Sequence, residues 1–218
     1  MLTRYPQIYF HVDHVQGVTK VPLNVKKARI DLCTCSAHKF HGMKGNGFLF
    51  VREGIQVESL FQGGDQENGL RAGTENVAGI VGMAKALRMA QEEQRKIKDL
   101  VALKEHFIEQ LETIEGVCVN TPKNGSAPHI VNFSIPGTKP EVIVQSLTTK
   151  EIYVSTKSAC SSKLNAPSRI LAAMGLVNER ANSGIRVSFS FDTTEKELNR
   201  LLNELKLIIP ELLEVVHT

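Results

Sequence analysis

Short apolar runs that turn polar at their ends alternate along this chain with stretches of helical spacing, and the order of the two divides it. Residues 7–16, Gln-Ile-Tyr-Phe-His-Val-Asp-His-Val-Gln, read as a buried strand with a polar carboxyl end. A second strand is expected over 30–35, running into Ser36-Ala37-His38-Lys39, and a third over 47–51, Gly-Phe-Leu-Phe-Val. Open α/β sheets place ligands at such strand ends. The polar, glycine-rich stretch 62–69 is expected to be a loop that is mobile or faces a ligand.

From Thr74, an expected helix N-cap with Glu75 in the first turn, apolar residues recur at helical spacing. They run through Val77, Ile80, Val81, Ala84 and Leu87 to Leu100, Leu103, Phe107 and Leu111. This is one long helix of roughly 35 residues, broken or bridging two domains, since globular helices usually run about 8–20. The boundary falls near 93–98, giving domains 1–94 and 95–218. The second part alternates: strands at 117–120, 129–135, 152–155 and 185–189, and helices at 140–149, 168–174 and 194–216. Pro140 starts one helix, Gly175 ends another and Pro210 interrupts the last. The expected fold is α/β, a partial sheet joined by a long helix to a small α+β domain.

With 218 residues, 42% of them apolar and 22% charged, the chain can bury a sizeable core. A net charge of +3 is too small to argue for direct nucleic-acid binding. No apolar run approaches the roughly 20 residues of a membrane helix, so no membrane partner is expected. The opening Met-Leu-Thr-Arg-Tyr-Pro lacks the basic flank and apolar stretch of a signal peptide, and a cytoplasmic, reducing setting is expected. Cys33 and Cys35, two apart on one strand, point the same way, but no second pair follows at zinc spacing. They read as small buried hydrophobes, with no resident metal.

The candidate chemistry gathers around Lys39. A lysine beside Ser36 and His38, followed by glycines 42, 45 and 47, suits an imine-forming amine held next to a phosphate. Asp13, on the preceding strand with Gln16, suits the partner of a pyridinium nitrogen. Together they read as part of a pyridoxal phosphate site. Arg186 lies inside an apolar strand, where a guanidinium is costly without an anion. Cys160, in Lys-Ser-Ala-Cys-Ser-Ser, has small polar neighbours, with Lys157 and Lys163 near enough in sequence to favour the thiolate. His14, His41, His106, His129 and His217 read as structural or solvent-facing.

Asp13, Gln16, the Ser-Ala-His-Lys group, Arg71-Ala-Gly-Thr74 and Ser-Ala-Cys-Ser occur in the order seen in the NifS/IscS-type cysteine desulfurases. The chain resembles that family, a class V aminotransferase branch of fold-type I pyridoxal phosphate (PLP) enzymes, from His11 to the final helix. The resemblance implies the C-terminal part of a PLP-dependent transferase large domain, followed by a small domain carrying the cysteine loop. It makes Lys39 the cofactor-bearing amine and proton carrier, and Asp13 and Gln16 its ring contacts. Ser36 and His38 become phosphate ligands, Thr74 a ligand of the neighbouring subunit's phosphate in a homodimer, and Arg186 the clamp on the substrate carboxylate. Cys160 takes sulfur from L-cysteine as a persulfide, releasing L-alanine, and passes it to an acceptor protein for iron–sulfur cluster assembly or tRNA thiolation. During that transfer Cys160 has the option of sharing an iron–sulfur cluster.

Departures from the family pattern mark where this reading is tested. Met43 stands for a proline, Asp65 and Asn68 for glycine and arginine, and Thr156 with Lys157 for the Ser-Gly before the cysteine motif. Family members run to nearly twice this length, so the chain is expected to lack the N-terminal half and the ring-stacking histidine within it. Two other readings stand beside cysteine desulfurase: another class V enzyme such as a selenocysteine lyase, and an inactive fragment serving as an interaction or dimerisation module.

Overall fold

The computed structural model describes residues 7–156, 168–176 and 178–216, and the chain divides into two units, 1–95 and 96–218. In the first unit a three-stranded sheet runs in the order β1 (His11–Asp13), β2 (Leu32–Ser36), β3 (Gly47–Val51). β1 is parallel to β2 and β2 antiparallel to β3. Period-2 alternation decides the faces: Val12, Cys33, Cys35 and Phe50 turn toward a core with Val18, Ile30, Ala37, Phe40 and Ala90. Helix α1 (Val77–Glu92) closes that core with Met83, Ala86 and Leu87.

The second unit starts with α2 (Ile97–Glu112) and builds an antiparallel sheet, β4 (Cys118–Val119), β5 (Ile130–Ser134) and β6 (Gly184–Ser188), with β5 central. Helices α3 (Pro140–Thr149), α4 (Arg169–Ala173), α5 (Asn178–Asn182) and α6 (Glu195–Val216) complete it. Its core holds fully buried Phe107, Leu111, Val131, Phe133, Ile135, Ile143, Leu147, Ile185, Leu205 and Ile209. Phe107 and Phe189 meet edge to face, ring centroids 5.6 Å apart.

Several sequence expectations are corrected. The long helical stretch takes the broken form of the two expected: a 3-10 turn, Glu93–Lys96, separates α1 from α2. Residues 91–96 are all polar, so nothing apolar holds that segment in a continuous α pattern. Thr74 is not the N-cap of α1; Asn76 is, its side chain accepting from the Gly79 amide. The first strand shrinks from 7–16 to three residues because the Asp31 carboxylate takes the Phe10 amide (2.7 Å) and Ile8 and Tyr9 stay exposed. Residues 152–155 form no strand, only a bridge between Ser155 and Arg186. Helix α5 went unforeseen, its Asn-Glu-Arg-Ala-Asn carrying no apolar rhythm. Among the described residues no helix is long and apolar enough to cross a membrane.

Candidate active site

The carboxyl ends of β1 and β2 bring four of the expected residues to one end of the first sheet. Asp13 is the last residue of β1 and pairs in register with Thr34, two residues before Ser36. Asp13, Thr34 and Ser36 therefore share the face away from the core. On that face His11 Nε2 lies 2.6 Å from Thr34 Oγ1. The Asp13 carboxylate accepts from the Val15 amide at 2.9 Å, which turns the chain out of the strand toward Gln16, an exposed turn residue.

Lys39 is one turn further than the sequence suggested. After Ser36 the chain enters a 3-10 turn, Ala37–Phe40, instead of ending at the lysine. Ala37 and Phe40 bury inward while His38 is exposed and Lys39 half-buried, so three-residue periodicity sorts apolar from chemical groups. The turn is closed by Gly42 N–H to Ala37 O (2.9 Å), with His41 left-handed at φ 65°, and by Ala37 N–H to Asn46 O (2.9 Å). Thr74 is exposed in the segment leading to α1, and its carbonyl accepts from Arg71 Nη1 at 3.3 Å. Beside it, Phe61, Gln62, Gly63, Gly64, Arg71, Ala72 and Gly73 line a cavity of about 470 Å³. That cavity includes none of Asp13, Ser36 and Lys39.

The electrostatics of this unit separate inert groups from available ones. Burial first, and the neighbouring Cys33 second, push the Cys35 thiol up to about 12. Both cysteines are buried in the core, 4% exposed each, so they act as packing groups rather than thiolates. Asp31 is held below the usual carboxylate range by the Phe10 amide and then by Arg52, whose Nε donates to it at 2.6 Å.

In the second unit Arg186 lies on β6 between Ser155, bridged through both backbone groups, and Asn132, its register partner on β5. Its Nε is buried and finds no hydrogen-bond acceptor among the described residues. The neighbouring amide is already engaged: Asn132 Oδ1 accepts from Asn120 Nδ2 at 2.7 Å. Asn120 Oδ1 in turn accepts from Arg180 Nε at 2.6 Å. A buried guanidinium N–H without an acceptor among the described residues is open to an acceptor from outside them. Cys160 lies outside the described residues. Sequence reading missed Asn46, Asn76, Asn120 and Arg180; only Asn76, a capping residue type directly before an apolar helix, carried a local signal.

Residues 1–201 match the model of the aminotransferase class-V family, and the chain belongs to that family. It is 43% identical over 207 residues to a protein of Dictyoglomus turgidum named cysteine desulfurase IscS, covering 94% of this chain and 52% of that one. A solved NifS-like protein superposes with a TM-score of 0.86 at 34% identity, covering 97% of this chain and 55% of that one. The NifS-like protein from Rickettsia africae gives 0.85 at 27%, covering 96% and 55%. The chain thus spans about half the length of the relatives it matches.

Proposed function

We propose that this chain is the lysine-bearing portion of a PLP-dependent cysteine desulfurase, cytoplasmic and homodimeric, that takes sulfur from L-cysteine. The observation that carries the reading is the convergence of carboxylate, hydroxyl and amine at one sheet end: Asp13, Ser36 and the turn bearing Lys39. That donor set fits the cofactor, a carboxylate for its ring nitrogen, small polar groups for its phosphate and an amine for its aldehyde. The orphaned Arg186 Nε is a fitting donor for an amino-acid carboxylate. Cys33, Cys35 and Cys118, free thiols among the described residues, suit a reducing compartment.

When bound, PLP supplies an electron sink for the amino acid's Cα. Asp13 would keep the ring nitrogen protonated, Gln16 would contact the ring, and Ser36 and His38 would hold the phosphate. Thr74 would reach the phosphate of the neighbouring subunit. Arg186 would fix the substrate carboxylate, and Lys39 would move the proton at Cα. The Cys160 thiolate would attack the substrate sulfur; an S–S bond would form as the C–S bond breaks, the electron pair of that bond would pass to Cβ, and a proton taken up there would leave a persulfide and L-alanine. The persulfide then passes to an acceptor protein for iron–sulfur cluster assembly or tRNA thiolation.

The test is PLP titration of the purified chain, followed by borohydride trapping and peptide mapping. The expected result is a weak absorption band, a label on Lys39, and loss of both in Lys39→Ala. A label on another lysine, unchanged in Lys39→Ala, overturns the assignment.

A further inference from the structure

A second set of contacts fixes the turn on which Lys39 stands, and it comes from side chains outside the expected site. Asn46 follows the glycine-rich turn after Lys39, and Asn76 caps α1; they are 30 residues apart in sequence. Asn76 Nδ2 donates to Asn46 Oδ1 at 3.2 Å. Both amides are keyed by their other contacts. Asn76 Oδ1 accepts from the Gly79 amide at 3.1 Å, so its nitrogen faces Asn46. Asn46 Nδ2 faces the Lys44 carbonyl at 3.2 Å and the Met43 carbonyl at 3.5 Å, so its oxygen faces Asn76. Position 79 must be glycine for this meeting, because a Cβ there would overlap both amide groups.

Asn46 also closes the Lys39 turn through its backbone, accepting the Ala37 N–H at 2.9 Å. Residues 37–46 are therefore a loop pinned at one end to β2 and at the other, through Asn46 and Asn76, to the first turn of α1. The same hook lies two residues after Thr74. One contact thus ties together two of the chain segments that the proposed site draws on within this unit, the Lys39 turn and the segment with Thr74.

We propose that the Asn46–Asn76 pair is a positioning device for Lys39, holding the amine's turn in register with the start of α1 and with Thr74. This rests on the reading of Lys39 given above. Neither asparagine touches the reacting atoms; both act through the backbone of residues 37–46. Without the hook the turn loses its attachment to α1, its closing bonds at the Ala37 and Gly42 amides open more often, and the amine samples a wider range of positions.

The experiment uses the full chain with Asn76→Asp, Asn46→Ala and the two combined. In Asn76→Asp the new carboxylate keeps an oxygen for the Gly79 amide, so the helix cap survives, but it has no proton to give Asn46. The expected result is an unchanged melting midpoint in Asn76→Asp. Amide exchange at Ala37 and Gly42 rises about tenfold and borohydride-trapped label at Lys39 forms about tenfold more slowly, the factor that accompanies an ordinary lost hydrogen bond. The double variant is expected to be no worse than either single one, because all three lack the same contact. Parental exchange in Asn76→Asp, or additive losses in the double variant, overturns the proposal. Lys39→Ala separates the two readings. Exchange at Ala37 and Gly42 reports the hook whether or not the label forms at residue 39, so the hook and the amine's role fail independently.

Discussion

Among the described residues of 96–218 seventeen apolar side chains form one buried cluster between the sheet and helices α2, α3 and α6, whereas among those of 1–95 the corresponding cluster holds seven. Large exposed apolar residues run the other way among the described residues, fourteen in the first unit and five in the second. Those of the first unit include Leu60 at 91%, Phe61 at 67%, Val77 at 65% and Val81 at 63%. The second unit covers its sheet with its own helices. The first covers one face with α1 and leaves the other, bearing His11, Asp13, Thr34, Ser36 and Leu49, open. Among the described residues of the first unit, the face that carries the proposed chemistry is thus the more exposed one, and the stability of the two units should differ accordingly.

The largest expected effect comes from emptying the closed core. Phe133, fully buried on the central strand β5, has packed neighbours on all sides that relax little when it is removed. Phe133→Ala should cost roughly 3–5 kcal/mol. Phe40, 1% exposed beside Lys39, is equally buried but sits in the small cluster, where the loop around it can collapse. Phe40→Ala should cost about 3 kcal/mol or less. Urea denaturation with hydrogen exchange read separately at β5 and β2 amides measures both. Equal losses would break the contrast between the units.

The sequence showed most of the second unit, α5 and the segment 152–155 apart, because its elements are set by local rules. Pro140 at the first position of α3, alternation in β5 and β6, and the heptad-like rhythm of α6 each announce an element within its own residues. The first unit was less legible in its backbone. β1 is short because an acid 21 residues away takes the Phe10 amide, and no local pattern reveals a partner at that distance. Lys39 stood out in the sequence through its neighbours, yet the 3-10 turn that bears it depends on Asn46, across the loop from Ala37. The Asn46–Asn76 hook joins two polar residues that read separately as turn and cap formers. Its meaning exists only once Gly79 has let them meet.

A middling effect sharpens the picture of why α6 begins where it does. Thr194 and Glu197 form a reciprocal capping pair: the Thr194 amide donates to Glu197 Oε2 at 2.8 Å and the Glu197 amide to Thr194 Oγ1 at 3.3 Å. α6 delivers Leu198, Leu201, Leu202, Leu205 and Ile209 to the larger core, so fraying its start loosens that core first. Thr194→Ala should cost about 1 kcal/mol, seen as a lower urea midpoint with an unchanged slope. A changed slope would mean that α6 is not part of one cooperative unit with β5 and β6.

The smallest effect belongs to the first unit and appears only in acid. Asp31 accepts the Phe10 amide at 2.7 Å and Arg52 Nε at 2.6 Å, and these hold its carboxyl below its ordinary 3.8. A carboxyl with a lowered folded-state value binds its proton more readily in the unfolded chain. Its contribution is therefore complete above pH 3.8 and fades as pH falls through the lower folded value. Arg52 is 54% exposed, so solvent and salt screen its share, and the amide, which lies between β1 and β2, carries the larger part. Asp31→Asn should flatten the acid limb of the stability profile read at β2 amides and leave β5 amides unaltered. Arg52→Gln should flatten it less. If both limbs respond together, acid acts on the whole chain through general charge repulsion, and the first unit has no weak point of its own at this bond.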